Sequence, residues 1–170
     1  MSIHSEHPFS VPVDQRDPVR RLRGRLAAPV TVLTAGTASP TGLTASSVLV
    51  VEGQPPLMLA LVGMGSDFLD ATTESGTFVA HVLDGAAGPL ADVFAGLRPA
   101  PGGMFADHET EETDWGPRLV AVADWAGCRL EETRPVGDQA LVMGSIQHLE
   151  VSELTDPLVY FRGSYRRLRS

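Results

Sequence analysis

The stretch GLTASSVLVVEGQPPLMLALVG, residues 42–63, decides how the rest of the chain is read. Its second half holds two runs of strand length, SSVLVV and PLMLALV, rich in β-branched and aliphatic residues. A short polar connection with Gly53, Pro55 and Pro56 separates them, and this predicts a strand, a turn and a strand. Its first half sets Thr44, Ser46 and Ser47 at the mouth of the first run. On an extended chain Thr44 and Ser46 share one face and Ser47 takes the other. Two readings stand: a polar strand start, or hydroxyls that bond the edge of a flat ligand brought close by small side chains.

Outward from this segment the chain continues in short pieces. Residues 1–15 are polar with two prolines and predict a flexible N-terminal arm, which leaves residues 16–170 as one domain. In DPVRRLRGRLA (17–27), Val19, Leu22 and Leu26 fall at helical spacing. PVTVLTAG reads as a strand ending at Gly36, and TASPTG as a turn. GSDFLDATTESG (65–76) predicts a helix with Ser66 at the N-cap, Asp67 and Asp70 in the first turn, and Gly76 as the stop. TFVAHVLD (77–84) alternates Phe78, Ala80 and Val82 against Val79, His81 and Leu83. GPLADVFAGL (88–97) reads as a helix, and residues 98–119 as a long loop, acidic at its far end. The remainder divides into about four strands, at turns near Pro135–Gly137, Leu154–Asp156 and Gly163. Roughly seven or eight strands in hairpin order, with two or three short helices, predict a mainly β (α+β) protein. Its antiparallel sheet closes into a barrel with the helices at its ends.

Composition limits the function. At 170 residues the chain is long enough to bury a core, and its 43% apolar and 20% charged content is that of a globular domain. A net charge of −8 argues against nucleic acid as a partner. No run approaches ~18 apolar residues, so no membrane span is expected, and the N-terminus lacks the pattern of a secretory signal. The expected location is cytoplasmic. Cys128 is the single cysteine, and the chain has no lysine, which removes disulfide and Schiff-base chemistry. The five histidines, His4, His7, His81, His108 and His148, make no tight spacing with Cys128, so no metal site is expected. GMGSDF (63–68) has two glycines of a dinucleotide fingerprint but Phe68 at the third, and hairpin order supplies no βαβ unit. Ser66 either caps its helix or helps that helix start meet a phosphate. His81 reads as a satisfied core or interface histidine. FRGSYRRLRS (161–170) is either a solvated edge or a set of arginines facing an anionic cofactor.

In their order along the chain these pieces resemble the flavin reductase family of the FMN-binding split barrel. The resemblance rests on VTVLTAG, GLTASSVLVVEGQPPLMLALV, SGTFVAHVL, LADVFAG followed by GGMF, GDQALVMGSI and DPLVYFRGSYRRL, and covers roughly residues 28–168. It implies an antiparallel split β-barrel that binds FMN, with FAD as the alternative. By the same resemblance Thr44, Ala45, Ser46 and Ser47 lie along the isoalloxazine and ribityl chain. Leu61, Val62 and Gly63 offer backbone groups, and Ser66 meets the phosphate. Gln139, Tyr165 and Arg166 fall on the nicotinamide side. The implied activity is NADH- or NADPH-dependent flavin reduction that supplies a partner monooxygenase, from a homodimer, with no catalytic acid or base. Two departures stand out. Gln139 replaces the family's histidine after Gly-Asp, which motivates an alternative: an FMN-binding electron carrier or flavin store without nicotinamide activity. Asp67 follows the helix-start serine where many members are basic, so Arg162, Arg166 or Arg167 is expected to compensate. An oxygenase or reductase using a deazaflavin on the same barrel is the third reading, carried by architecture alone.

Overall fold

The computed structural model describes residues 17–168; the N-terminal arm expected over residues 1–15 lies outside the described residues. Three short helices, α1 (Pro18–Arg23), α2 (Asp67–Ser75) and α3 (Gly88–Phe94), accompany twelve strands. These are β1 (Ala28–Pro29), β2 (Thr31–Ala35), β3 (Thr41–Ala45), β4 (Val48–Val51), β5 (Leu57–Gly63) and β6 (Thr77–Val82). They continue as β7 (Thr110–Thr113), β8 (Gly116–Leu119), β9 (Asp124–Val136), β10 (Gln139–Glu150), β11 (Leu158–Phe161) and β12 (Ser164–Arg167).

Seven strands form one antiparallel sheet in the order β3-β2-β6-β9-β10-β5-β4. Its edges, β3 and β4, are consecutive in the chain and are joined by only Ser46 and Ser47. Two linking residues reach only about 10 Å, so the sheet must curl until its edges meet. That curl is the split barrel. The opening segment therefore contains one strand more than its pattern suggests: TASS is no continuous extended run, because β3 ends at Ala45 and the chain bends before β4. Thr44 and Ser46 accordingly do not share a strand face.

The interior follows from period-two alternation. Leu33 and Ala35 of β2, Met58, Ala60 and Val62 of β5, Phe78 and Ala80 of β6, and Ala140 and Val142 of β10 enclose one core with Phe68 of α2. Gly144 makes room for Phe78, since a Cβ there would stand 2.5 Å from the ring. The opposite faces of β2 and β6 look into a second cluster, where Val30, Val32 and Leu83 pack against Ala91 and Phe94 of α3. Strand β2 is thus buried on both faces, and its two threonines are satisfied there, Thr31 by the Ala45 carbonyl and Thr34 by the Pro117 carbonyl.

Helix α2 begins and ends as its sequence predicts. The Ser66 hydroxyl accepts the Leu69 N–H, and Gly76 adopts the left-handed conformation at φ 73° that favours glycine after a helix. Two other expectations are corrected. The stretch 98–119 contains the hairpin β7–β8 rather than loop alone. Helix α1 is shorter than the 17–27 run, and Val19, Leu22 and Leu26 lie exposed instead of facing a core.

His81 holds that hairpin to the barrel. Its Nε2 accepts the backbone N–H of Leu119 at 2.9 Å, so the proton sits on Nδ1, which donates to the Val32 carbonyl at 3.0 Å. It is a satisfied core histidine. Burial lowers its pKa from 6.5 to about 4, against the opposing Val32 hydrogen bond and with a smaller contribution from the Arg118 charge.

Candidate functional site

Strand β5 is apolar on both faces. Met58, Ala60 and Val62 fill the barrel, and Leu57, Leu59 and Leu61 remain half-buried on the outside. In register, Leu59 lies opposite Leu49 of β4, and Leu61 opposite Leu141 of β10. These leucines line a cleft of about 980 Å³, large enough for a cofactor with a second ligand. The Ser46–Ser47 link forms part of its wall, pinned where the Ser47 carbonyl accepts the Leu61 N–H at 3.0 Å. Tyr160 of β11 also lines it, with its ring edge-on to Tyr165 at 5.9 Å.

The polar lining has one sign. Arg20, Arg21, Arg23 and Arg25 enter from α1 and the turn after it, Arg134 from β9 and Arg162 from the β11–β12 turn. No carboxylate lines the cleft among the described residues. The described arginines in ion pairs are others: Arg118 with Glu111 and Glu150, Arg129 with Glu131, and Arg167 with Asp156. In a chain of net charge −8, this concentrates over an apolar floor guanidinium groups that have no ion pair among the described residues. A planar, apolar ring system carrying phosphate fits that donor set: leucines for the ring, serine hydroxyls for its polar edge, arginines for the phosphate.

Of the residues singled out from sequence, the structure brings Ser46, Ser47 and Leu61 together in this cleft. Thr44 is half-buried, and its hydroxyl donates to the Ala91 carbonyl at 2.7 Å, tying β3 to α3. Ala45 and Val62 belong to the barrel core. Gly63 ends β5 opposite Gln139, the half-buried first residue of β10. The Ser66 hydroxyl is engaged in its cap and also donates to the Gly63 carbonyl at 2.9 Å. Tyr165 packs against the second cluster, and burial with the neighbouring Asp92 raises its phenol above the ordinary value. Arg166 is exposed on β12. Among the arginines expected to offset Asp67, Arg162 lines the cleft, whereas Arg167 pairs with Asp156.

The α1 arginines and Arg134 go unnoticed in a motif-led reading of the sequence. Their available signal is RRLRGR (20–25), four arginines in six residues of an acidic chain. Arg134 also borders a smaller hollow of about 390 Å³ beside α2, with Leu69, Asp70, Thr73 and Glu74. It thereby stands between the cleft and the helix that Ser66 starts. Cys128 offers no nucleophile, since burial pushes its thiol up to about 12. Among the described residues no group of three or more His, Cys, Asp or Glu is placed to hold a metal ion.

Comparison with known proteins decides the family. Residues 23–169 match the flavin reductase like domain. The chain belongs to that family. The domain is 30% identical over 154 residues to the 4-hydroxyphenylacetate 3-monooxygenase reductase component of Pseudomonas aeruginosa, covering 88% of this chain and 90% of that protein. It is 30% identical over 159 residues to the NADH-dependent FMN reductase AsuE2 of Streptomyces nodosus subsp. asukaensis, covering 91% and 85%. Among solved structures, the flavin reductase PheA2 superposes with a TM-score of 0.82 at 26% identity, covering 91% of this chain and all of that one. This flavin reductase domain thus has the split-barrel fold expected from its sequence. Among its described residues no helix is long and apolar enough to cross a membrane.

Proposed function

We propose that this flavin reductase domain oxidises NADH or NADPH and passes the hydride to FMN or FAD held in the arginine-lined cleft. The observation that carries this reading is the meeting, in one cleft, of the Ser46–Ser47 link, the leucine floor and six arginines. When bound, the flavin supplies the hydride acceptor, so the protein contributes binding and orientation. Ser46 and Ser47 orient the ring's polar edge. Leu59, Leu61 and Leu141 exclude water from the reacting face, and Arg134 and Arg162 hold phosphate. Gln139, at the end of β10, hydrogen-bonds the nicotinamide amide without exchanging a proton. On this reading no acid or base is required of the chain, since the flavin itself accepts the hydride.

The reduced flavin serves a partner oxygenase, a role supported by the reductase component among the relatives, and the setting is cytoplasmic. The domain works as a homodimer. Leu49 and Val50 of edge strand β4 are 68% and 60% exposed, and an exposed apolar edge is a surface for strand or face pairing. Val19, Leu22 and Leu26 extend the apolar surface near the α1 side of the cleft. The test is aerobic oxidation of NADH and NADPH, followed at 340 nm with added FMN or FAD. Turnover above the protein-free control is expected. A protein that binds and perturbs the flavin spectrum, yet oxidises neither dinucleotide, would overturn the reductase reading and leave a flavin carrier.

A further inference from the structure

We infer that the α1 arginines make the cleft selective for a dinucleotide with a 2′-phosphate, so that NADPH is preferred to NADH. The inference rests on the reductase reading for its consequence in catalysis, but its binding content stands apart from hydride transfer. Charge is the first argument. A flavin phosphate or pyrophosphate together with the pyrophosphate of NADH brings about four negative charges, and a 2′-phosphate raises the total to about six. Six arginines line the cleft, and among the described residues no carboxylate lines it with them, although Asp70 and Glu74 border the hollow that Arg134 also reaches. Counted over the described cleft lining alone, NADH leaves about two guanidinium charges without a ligand anion, and the 2′-phosphate of NADPH supplies one for them.

The cleft also lacks an acidic side chain among the described residues. In βαβ dinucleotide folds, which this antiparallel barrel is not, an acidic side chain takes the ribose 2′-hydroxyl and arginine takes a 2′-phosphate, and the electrostatics behind that choice hold on any fold. The acid would repel a phosphate. Here the lining has no acid among the described residues, and four arginines project from one short segment, Arg20, Arg21, Arg23 and Arg25. That segment brings its arginines to the same cleft as the Ser46–Ser47 and Leu61 wall. Guanidinium groups suit the task, because they bond phosphate in bidentate fashion and stack on a purine.

The experiment has a kinetic and a binding arm. Steady-state kcat/KM with FMN should favour NADPH over NADH by at least about tenfold, the effect of one good charge-assisted contact. In an Arg21→Ala/Arg23→Ala/Arg25→Ala variant that ratio should fall about tenfold or more. These side chains are exposed, so folding is not at stake. Isothermal titration should show adenosine 2′,5′-bisphosphate binding the wild-type protein more tightly than ADP, and the preference should vanish in the variant. Equal binding of the two nucleotides, an unchanged ratio in the variant, or NADH preferred by the wild type would each overturn the inference. A bisphosphate preference without turnover of either dinucleotide would sustain it while refuting the reductase reading.

Discussion

Replacing His81 with leucine tests the packing of the barrel through its pH dependence. In the folded protein the imidazole is fully buried between the Val32 carbonyl and the Leu119 N–H, and burial lowers its pKa from 6.5 to about 4. The unfolded chain takes up the proton near 6.5, whereas the fold resists it until about 4. Stability is therefore complete above the unfolded value and falls as pH drops through the window between the two. Integrated from pH 7.5 to pH 4.5, the loss is about 2.5 kcal/mol from this single group. The leucine variant loses both hydrogen bonds, and leaving these backbone groups unpaired costs about 2–4 kcal/mol near neutrality. It has no group to titrate there. The gap between wild type and variant should thus shrink by about 2.5 kcal/mol on acidification to pH 4.5. Urea unfolding followed by fluorescence of Trp115 and Trp125, at several pH values, reads this difference, and the acidic residues common to both proteins cancel. Parallel stability curves for the two proteins would refute the assignment of His81 as a neutral, buried hydrogen-bonding post.

Other predictions concern the core and the cleft. Gly144→Ala drives a methyl group into Phe78 and close to the Arg129 carbonyl, 3.1 Å away; it should destabilise the barrel by about 1–3 kcal/mol in urea, through overpacking. Leu141→Asp sets a carboxylate on the cleft floor opposite Leu61 and should raise the Kd for FMN about tenfold or more, read by flavin fluorescence, with the melting temperature little changed. Arg134→Ala should weaken FMN more than riboflavin, because only the former carries phosphate, and raising salt should narrow the difference in the wild type. Leu49→Asp with Val50→Lys should shift a dimer to monomer in light scattering; a wild-type protein already monomeric at micromolar concentration would remove that role from β4.

The legibility of the fold varied with the range of the forces involved. Helix α2 could be read residue by residue, since Ser66 and Gly76 act on backbone groups within one turn of themselves. The alternation of β6 was equally plain, with Phe78 and Ala80 in the barrel and Val79 and His81 behind it. The hairpin β7–β8 was hidden because its residues, TEET and GPRL, have little strand propensity. Its Leu119 N–H instead donates to the side-chain Nε2 of His81, thirty-eight residues away. The apolar stripe of α1 misled in the opposite direction: helical spacing was present, yet the described chain provides no core for it to cover.

The sequence by itself determined the start and stop of α2 and the apolar faces of strands such as β5 and β6. Those properties arise from backbone sterics and from side-chain periods of two and near four residues. It also carried the order of motifs that marks the family. Tertiary structure alone decided that Ser46 and Ser47 join the two edges of one curled sheet. It alone set the outer leucines of β4, β5 and β10 side by side as a cleft floor. The arginines at positions 20–25, 134 and 162 become one anion-binding surface only when β9 and the β11–β12 turn are brought to the α1 side. Such assembly depends on pairing between distant strands, and no local pattern encodes which charges end up as neighbours.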